Sequence, residues 1–110
     1  MNNKFIDFQG NKVSMTVCNK EAVVLYQNAQ SRQIFGDVVG NSLFECHPPK
    51  ASEKIRELLA TSGTNVYTIS KNGMKKMIYQ TPWFDENGEL QGLIEYSMIL
   101  PEEMPHYIRK

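Results

Sequence analysis

The passage NVYTISKNGMKKMIYQTPWFDENGELQGLIEYSMIL, residues 65–100, contains the strongest signals of the fold. Its β-branched and aromatic residues are interrupted by two Asn-Gly pairs, Asn72-Gly73 and Asn87-Gly88. An Asn-Gly pair between hydrophobic runs is the strongest short-range signal of a β-hairpin. We therefore predict three strands here, over residues 65–70, 74–84 and 90–100, joined by turns.

Two more strands and a short helix are predicted before this stretch. Residues 13–19 alternate between apolar and small polar side chains, a period of two that is typical of a strand with one wetter face. Residues 22–28 form a β-branched run and predict a second strand, paired with the first. Asn28 is a good N-cap for one or two helical turns, and Gly36 would end them.

The passage FECHPPKASEKIRELL, residues 44–59, predicts a bend followed by a longer helix. Pro48-Pro49 cannot continue a preceding helix but can begin a new one, because a proline at the first position removes an N–H that would be unpaired anyway. From Lys50 to Thr61 an apolar stripe recurs at helical spacing. Its members are Ala51, Ile55, Leu58 and Leu59.

These elements predict an α+β domain with a sheet of five antiparallel strands. All the helices lie in one crossover connection and pack on one face of that sheet. The length of 110 residues suits one small domain with one core. Twelve basic residues balance twelve acidic ones, which gives no electrostatic reason to expect nucleic acid or a membrane surface as partner. Two cysteines and no signal-peptide pattern favour a reducing cytoplasm.

The order of elements resembles that of PAS domains, the small sensor modules of signalling proteins. Residues 23–36, VVLYQNAQSRQIFG, are similar to the family's strand, Asn, helix and Phe-Gly passage. Residues 38–49, VVGNSLFECHPP, resemble its glycine loop, and residues 84–100 resemble its closing hairpin. The CHPP bend before a helix looks most like bacterial or archaeal PAS sensors.

The resemblance implies a sheet of strand order 2-1-5-4-3, a small ligand held between sheet and helices, and no catalysis of its own. It also implies a homodimer and an effector or signalling protein in trans. The PAS domain would occupy residues 13–100, with an N-terminal arm over 1–12 and a C-terminal tail over 101–110. An empty dimerisation scaffold is the alternative, because a filled core and a lined pocket use the same residue types.

The adjacent Cys46 and His47 are candidates for a reactive or ligand-binding pair. The side chains of neighbouring residues in an extended segment point to opposite sides, so Cys46 and His47 are not expected to bind the same metal ion. A closed zinc site needs four ligands, and only Cys18 and His106 remain as further Cys or His, so we predict no metal site. The expected role of the pair is the bend itself, at the mouth of the ligand cavity.

The resemblance suggests two cofactors, haem and flavin, and each can be compared with the residues that the family uses to bind it. Haem-binding members carry their histidine on the longer helix, which has none here, so only His47, just before that helix, could serve. Flavin photosensors carry a cysteine in a Gly-x-Asn-Cys loop. Leu43 stands where that cysteine would be, so flavin is disfavoured. The cofactor stays unknown.

Ligand-pocket candidates are aromatic, apolar or polarisable residues on the predicted helices, the bend and one face of strands 74–84 and 90–100. They are Phe35, Phe44, Cys46, His47, Leu58, Met77, Tyr79 and Tyr96. On the two strands the more apolar face is assigned to the helices, and the hydroxyls of Tyr79 and Tyr96 are candidates for ligand contacts.

The opposite, wetter face of the last strand is predicted to face solvent or a second subunit. Glu95 lies on it and could face water, pair with a neighbour such as Lys76, or contact a ligand. Apolar residues on the same face, together with the N-terminal arm, suggest dimerisation. The dimer-face candidates are Phe5, Phe8, Leu93, Glu95 and Ile99.

No enzyme signature is present, since the nucleophile-elbow, phosphate-loop, dinucleotide and zinc-protease motifs are all missing. A cone-shaped isomerase-like fold needs a long helix before the strands, which the first twelve residues cannot supply. The sequence therefore predicts a non-catalytic sensory or protein-interaction module.

Overall fold

The structure, a computed structural model, describes residues 9–110 except for the side chain of Cys46. Within these residues eight elements follow one another. They are β1 (Ser14–Asn19), β2 (Val24–Gln27), α1 (Ala29–Phe35), α2 (Leu43–Cys46), α3 (Pro49–Thr61), β3 (Asn65–Lys71), β4 (Met74–Phe84) and β5 (Leu90–Leu100).

The three C-terminal strands form a continuous antiparallel meander. Asn72 and Gly73 both have positive φ, 52° and 76°, as a two-residue hairpin turn requires, and Lys71 then pairs with Met74. The turn before β5 places Gly88 at φ 79° and lets the Asp85 carboxylate accept two backbone N–H bonds. The strands β4 and β5 consequently begin and end where the sequence predicts.

The N-terminal hairpin is tighter than its sequence suggests. Asn19 folds its side chain back so that Oδ1 accepts from the backbone N–H groups of Glu21 and Val23, at 3.0 and 2.9 Å. Ala22 takes a left-handed φ of 63° and is fully buried in the turn. The second strand therefore begins at Val24, two residues later than predicted.

The bend between α2 and α3 is formed by His47, Pro48 and Pro49, as the sequence predicts. His47 is the C-cap of α2, in extended conformation, and Pro48 is the N-cap of α3. Pro49 is the first residue of α3, where its missing N–H costs nothing. The helix ends at Ser62, which adopts the left-handed conformation and donates its N–H to Leu58 O.

The sheet has the order β2-β1-β5-β4-β3 and is antiparallel throughout. A small hydrophobic core joins it to the helices, in which Cys18 and Leu93 from the sheet meet Ile55 and Leu58 from α3. These core side chains are at most 4% exposed. The predicted α+β fold, with its strand order and its helices on one face, is confirmed.

We call the face that carries Cys18 and Leu93 the inner face of the sheet, and the opposite one the outer face. Side chains alternate along a strand, so Glu95 shares the inner face with Leu93. The assignment of Leu93 and Glu95 to a face turned away from the helices is therefore wrong. Ile99 also has inner-face parity but lies near the end of β5, where it is 58% exposed.

The same alternation places three of the predicted pocket residues on the outer face of the sheet. Met77, Tyr79 and Tyr96 lie on the outer face, because each is one residue away from an inner-face position and Tyr79 pairs with Tyr96. Tyr79 is 37% exposed there. The prediction that this apolar set faces the helices is wrong, since the helices cover the more polar face.

After β5 the tail runs from Pro101 to Lys110 without helix or strand and is exposed throughout. Within residues 9–110, no helix has both the length and the apolar character needed to cross a membrane.

Candidate functional site

A cleft lies between the inner face of the sheet and the three helices, and we call it the central cleft. Its first lobe, about 220 Å³, is lined by Thr16, Phe35, Val38, Leu43, His47 and Glu95. A second, more open lobe of about 370 Å³ lies between α3 and strands β3 and β4. His47 lines both lobes, so the bend before α3 forms part of the wall of the cleft.

The floor of the central cleft is a row of polar residues that crosses the whole sheet, one from each strand. We call it the polar row. In spatial order its members are Gln27, Thr16, Glu95, Gln80 and Asn65. Each is the direct cross-strand partner of the next, so their side chains stand next to one another on the inner face.

One half of the polar row is a hydrogen-bonded chain that ends on a carboxylate. Asn65 donates from Nδ2 to Gln80 Oε1 at 3.0 Å, and Gln80 donates from Nε2 to Glu95 Oε1 at 2.8 Å. Gln80 is only 7% exposed, so both ends of its amide need these partners. The chain fixes the orientation of the Gln80 amide and holds the Glu95 carboxylate in the cleft.

The other half of the polar row is tied to helix α1 through Ser31. Gln27 donates from Nε2 to Ser31 Oγ at 3.0 Å, and Ser31 Oγ lies 2.6 Å from Thr16 Oγ1. Gln27 Oε1 accepts from Val38 N–H at 2.8 Å, so the same amide also anchors the loop after α1. Ser31 is fully buried and Gln27 is 2% exposed, which makes this half rigid.

The charge of Glu95 affects titratable neighbours on the inner face. Burial raises the pKa of the Tyr67 phenol, and the Glu95 carboxylate raises it further. Burial, together with Glu95, also raises the pKa of the Cys18 thiol, although a hydrogen bond from the backbone at Leu93 partly opposes this. Both groups therefore stay neutral at pH 7, and Glu95 dominates the local electrostatics of the polar row.

His47 is held by the helix that it ends. Its ring nitrogen Nδ1 lies 2.8 Å from Leu43 O, the carbonyl of the first residue of α2. Because a carbonyl only accepts, Nδ1 carries the proton in this contact. The imidazole thus caps a short helix and borders the cleft with its other edge.

The predicted pocket residues fall into separate groups. Phe35 and His47 line the first lobe. Leu58 is part of the core, and Phe44 packs against that core with its ring 4.2 Å from the Arg56 guanidinium. Met77, Tyr79 and Tyr96 lie on the outer face. The side chain of Cys46, like Phe5 and Phe8, lies outside the described residues, so the roles predicted for these three stay predictions.

Pairing of Glu95 with Lys76, one of the three alternatives for this carboxylate, is not found among the described residues. Within residues 9–110 the one ion pair joins Lys54 and Glu57 on α3, at 3.1 Å. Glu95 instead accepts from the neutral amide of Gln80. No three His, Cys, Asp or Glu side chains of the described part of the chain come together as a possible metal site.

The polar row was missed by the sequence-based predictions, although a signal for part of it was present. A two-residue turn at Asn72-Gly73 fixes the register of its hairpin, so counting back from it pairs Asn65 with Gln80. What sequence periodicity does not reveal is which face of a strand meets the helices. Polar side chains were therefore assigned to solvent.

The first lobe of the cleft combines polar groups on its floor with apolar side chains on its wall. Thr16 and Glu95 supply hydroxyl and carboxylate contacts, while Phe35, Val38 and Leu43 supply apolar surface. A mostly apolar pocket with a few convergent polar groups is the usual form of a small-molecule site. The first lobe, at about 220 Å³, is smaller than the roughly 300 Å³ at which pockets hold drug-sized ligands, so its size suits a smaller molecule.

Comparisons with known proteins rest on structure. No protein-family model matches the sequence, and no curated protein matches it. Among solved structures, the PAS domain of Bordetella pertussis BvgS is similar with a TM-score of 0.63, at 22% identity, over 86% of this chain and 81% of that chain. For the PAS domain of the histidine kinase ThkA the TM-score is 0.65, at 17% identity, over 80% and 99%. For VqmA bound to DPO it is 0.69, at 18% identity, over 86% and 55%.

Identities this low establish a common fold and nothing finer. The strand order and the α+β architecture match the fold of these PAS domains. The chain therefore has the PAS fold.

Proposed function

We propose that this chain is a non-catalytic sensory module that binds a small molecule in the central cleft and passes the signal to an effector protein in trans. The observation that carries the proposal is the cleft itself, where a bonded polar floor faces apolar side chains of the helix layer. Proteins of the same fold support it. ThkA is a histidine kinase, and VqmA has been solved bound to DPO.

The proposed signal path runs through the loop after α1. Val38 lines the cleft and its N–H is bonded to Gln27 of the polar row, so a ligand there contacts both the loop and the sheet. A ligand that binds one arrangement of this loop better than another shifts the population between them. The proposed setting is the reducing cytoplasm that the cysteine content favours.

Haem is the weaker cofactor candidate for this cleft. The only histidine that lines the cleft is His47, and its Nδ1 is bonded to Leu43 O, so haem iron would have to be bound through Nε2. The floor is polar and carries a carboxylate, which is a poor match to the flat apolar face of a porphyrin because burying polar groups without partners is costly. An absorption spectrum of purified protein tests this, since bound haem would give a Soret band.

Native mass spectrometry tests the proposal, using protein that has been incubated with a bacterial metabolite extract and desalted. We expect wild type to retain a small molecule. The variant Val38→Trp, which puts an indole into the first lobe, should not retain it. Val39→Trp is the matched control, because Val39 is the next residue, is 50% exposed and does not line the cleft. Wild type that retains nothing, or equal retention by both variants, would contradict the proposal.

A homodimerisation scaffold is the second candidate, and the outer face favours it. Its apolar side chains are only partly covered by other described residues, and Tyr26, Val66 and Tyr79 are 36%, 48% and 37% exposed. Sedimentation equilibrium at tens of micromolar should then give a dimer, and Tyr79→Glu should give a monomer. Tyr107→Glu in the exposed tail is the control. A 12.6 kDa monomer for wild type would rule the scaffold out.

A further inference from the structure

The central cleft contains one carboxylate, that of Glu95, and it forms no ion pair within residues 9–110. Glu95 accepts a single hydrogen bond, from Gln80 Nε2 at 2.8 Å, among the residues that the structure describes. That donor is a neutral amide, so it leaves the negative charge uncompensated. The second carboxylate oxygen, Oε2, accepts from no side chain of the described chain.

Four lysines border the cleft without reaching this carboxylate. Lys71 and Lys76 lie at the end of the cleft beyond Ser97, and Lys50 and Lys54 line the second lobe near its opening. Lys76 is four residues along β4 from the Gln80 position, about 13 Å at the usual rise of a strand. No ion pair joins any of the four to Glu95 within the described residues.

The polar row orients the carboxylate instead of neutralising it. The chain from Asn65 through Gln80 donates only toward Glu95, so the side chain cannot turn away without breaking a bond to a 7% exposed amide. On the other side Thr16 Oγ1 is fixed by Ser31 at 2.6 Å and lines the same lobe. A preorganised anion beside a fixed hydroxyl is a receptor for a group that carries positive charge and several N–H donors.

We propose that the central cleft selects a small organic cation, an ammonium or amidinium compound, whose N–H groups bind Glu95 and Thr16 and whose apolar part lies on Phe35, Val38 and Leu43. The proposal rests on the proposed function, because it names the chemical class of the ligand of the same cleft. An anion would meet Glu95 with like charge. A neutral molecule would leave the carboxylate without a counter-charge while displacing water from it.

The probes share a phenylethyl group and differ in the charge of the polar group attached to it: phenethylammonium, 2-phenylethanol and 3-phenylpropanoate. Affinities are measured by titrating ¹⁵N-labelled protein at pH 7 and following the amide signals of cleft residues. We expect phenethylammonium to bind at least about tenfold more tightly than either other probe, because a charge-assisted hydrogen bond is about twice as strong as a neutral one. This ranking requires no variant.

Two variants test whether the preference for the cation depends on the Glu95 carboxylate. Glu95→Gln keeps the shape and removes the charge, and should weaken phenethylammonium binding about tenfold while changing 2-phenylethanol binding little. Glu86→Gln removes an exposed carboxylate from the turn before β5 and should leave all three affinities unchanged. Equal affinities for the three probes, no binding by any of them, or an unchanged cation affinity in Glu95→Gln would overturn the proposal.

The two proposals fail differently. If the metabolite retained in native mass spectrometry is neutral or anionic and its retention is lost in Val38→Trp, the cleft is a binding site but the cation inference is wrong. If wild type retains nothing, the proposed function itself fails.

Discussion

Asn28 should be the most sensitive single side chain in the N-terminal half of the fold. Its Oδ1 accepts from Ser31 N–H, which caps α1, and from Met15 N–H in β1, both at 3.0 Å. Its Nδ2 donates to Val13 O at 2.8 Å. The residue is 1% exposed, so water cannot replace these bonds at its side chain.

The cost of Asn28→Ala follows from the bonds it removes. Loss of an N-cap side chain costs about 1 kcal/mol. Each of the two bonds to β1 adds about 1 kcal/mol, because a partly buried backbone group loses its partner. We expect a loss of about 3 kcal/mol, a large share of the roughly 5–15 kcal/mol that stabilises a small domain.

The assay is urea unfolding followed by the fluorescence of Trp83, the only tryptophan of the chain. With an m-value of about 2 kcal/mol/M, the midpoint of Asn28→Ala should fall by about 1.5 M. Asn28→Asp keeps both N–H contacts but sets a carboxylate oxygen against Val13 O, so its loss should be intermediate. Asn41→Ala, at an exposed position, should stay within about 0.5 kcal/mol of wild type. An Asn28→Ala midpoint equal to that of Asn41→Ala would show that the three Asn28 bonds do not stabilise the fold.

Three further substitutions test the packing of the sheet and the bend. A Cβ at Gly92 would lie 1.9 Å from Cys18 O, so Gly92→Ala should break the pairing of β1 with β5 and leave little folded protein by circular dichroism, whereas Gly10→Ala, with open space around it, should be neutral. Burial raises the pKa of the Cys18 thiol above 9.0, so the unfolded thiol ionises first. The contribution of the Cys18 thiol to the free energy of unfolding is therefore complete below about pH 9 and is lost as the pH rises through the pKa of the folded state. Urea midpoints between pH 8 and 10.5 should consequently fall more steeply for wild type than for Cys18→Ala. His47→Ala removes the contact with Leu43 O and should cost about 1 kcal/mol or less in a thermal melt; a loss above about 2 kcal/mol would indicate a core role instead.

The elements of the fold could be predicted because their signals are local. The Asn-Gly turns set the ends of β4 and β5, Asn28 caps α1, and the two prolines set the start of α3. The exception is β2, where Ala22 is drawn into a buried left-handed turn. Tertiary burial and the Asn19 side chain determine that turn, and neither is visible in a propensity for strand.

The faces of the sheet could not be predicted because alternation separates two faces without saying which one the helices cover. The usual assumption, that the more apolar face is the inner one, fails here. The helix layer covers only part of the sheet, and Thr16, Gln80 and Glu95 line the cleft that it leaves. A polar floor under a cleft reverses the ordinary pattern of burial.

The polar row required long-range register as well. The pairing of Asn65 with Gln80 follows from the hairpin turn, but Gln80 meets Glu95 only because a bulge between Trp83 and Phe84 shifts the register by one residue. The pairing of Glu95 with Thr16 depends on β1 lying beside β5, which local sequence does not encode.

Methyl NMR tests directly whether a small molecule binds in the central cleft, because it locates the bound molecule on the protein. Metabolite extract below 1 kDa is added to protein labelled at the methyl groups of Ile, Leu, Val and Met. If the central cleft is the binding site, the largest shifts should come from Val38 and Leu43. Shifts confined to outer-face methyls such as Met77, or no shifts at all, would contradict it.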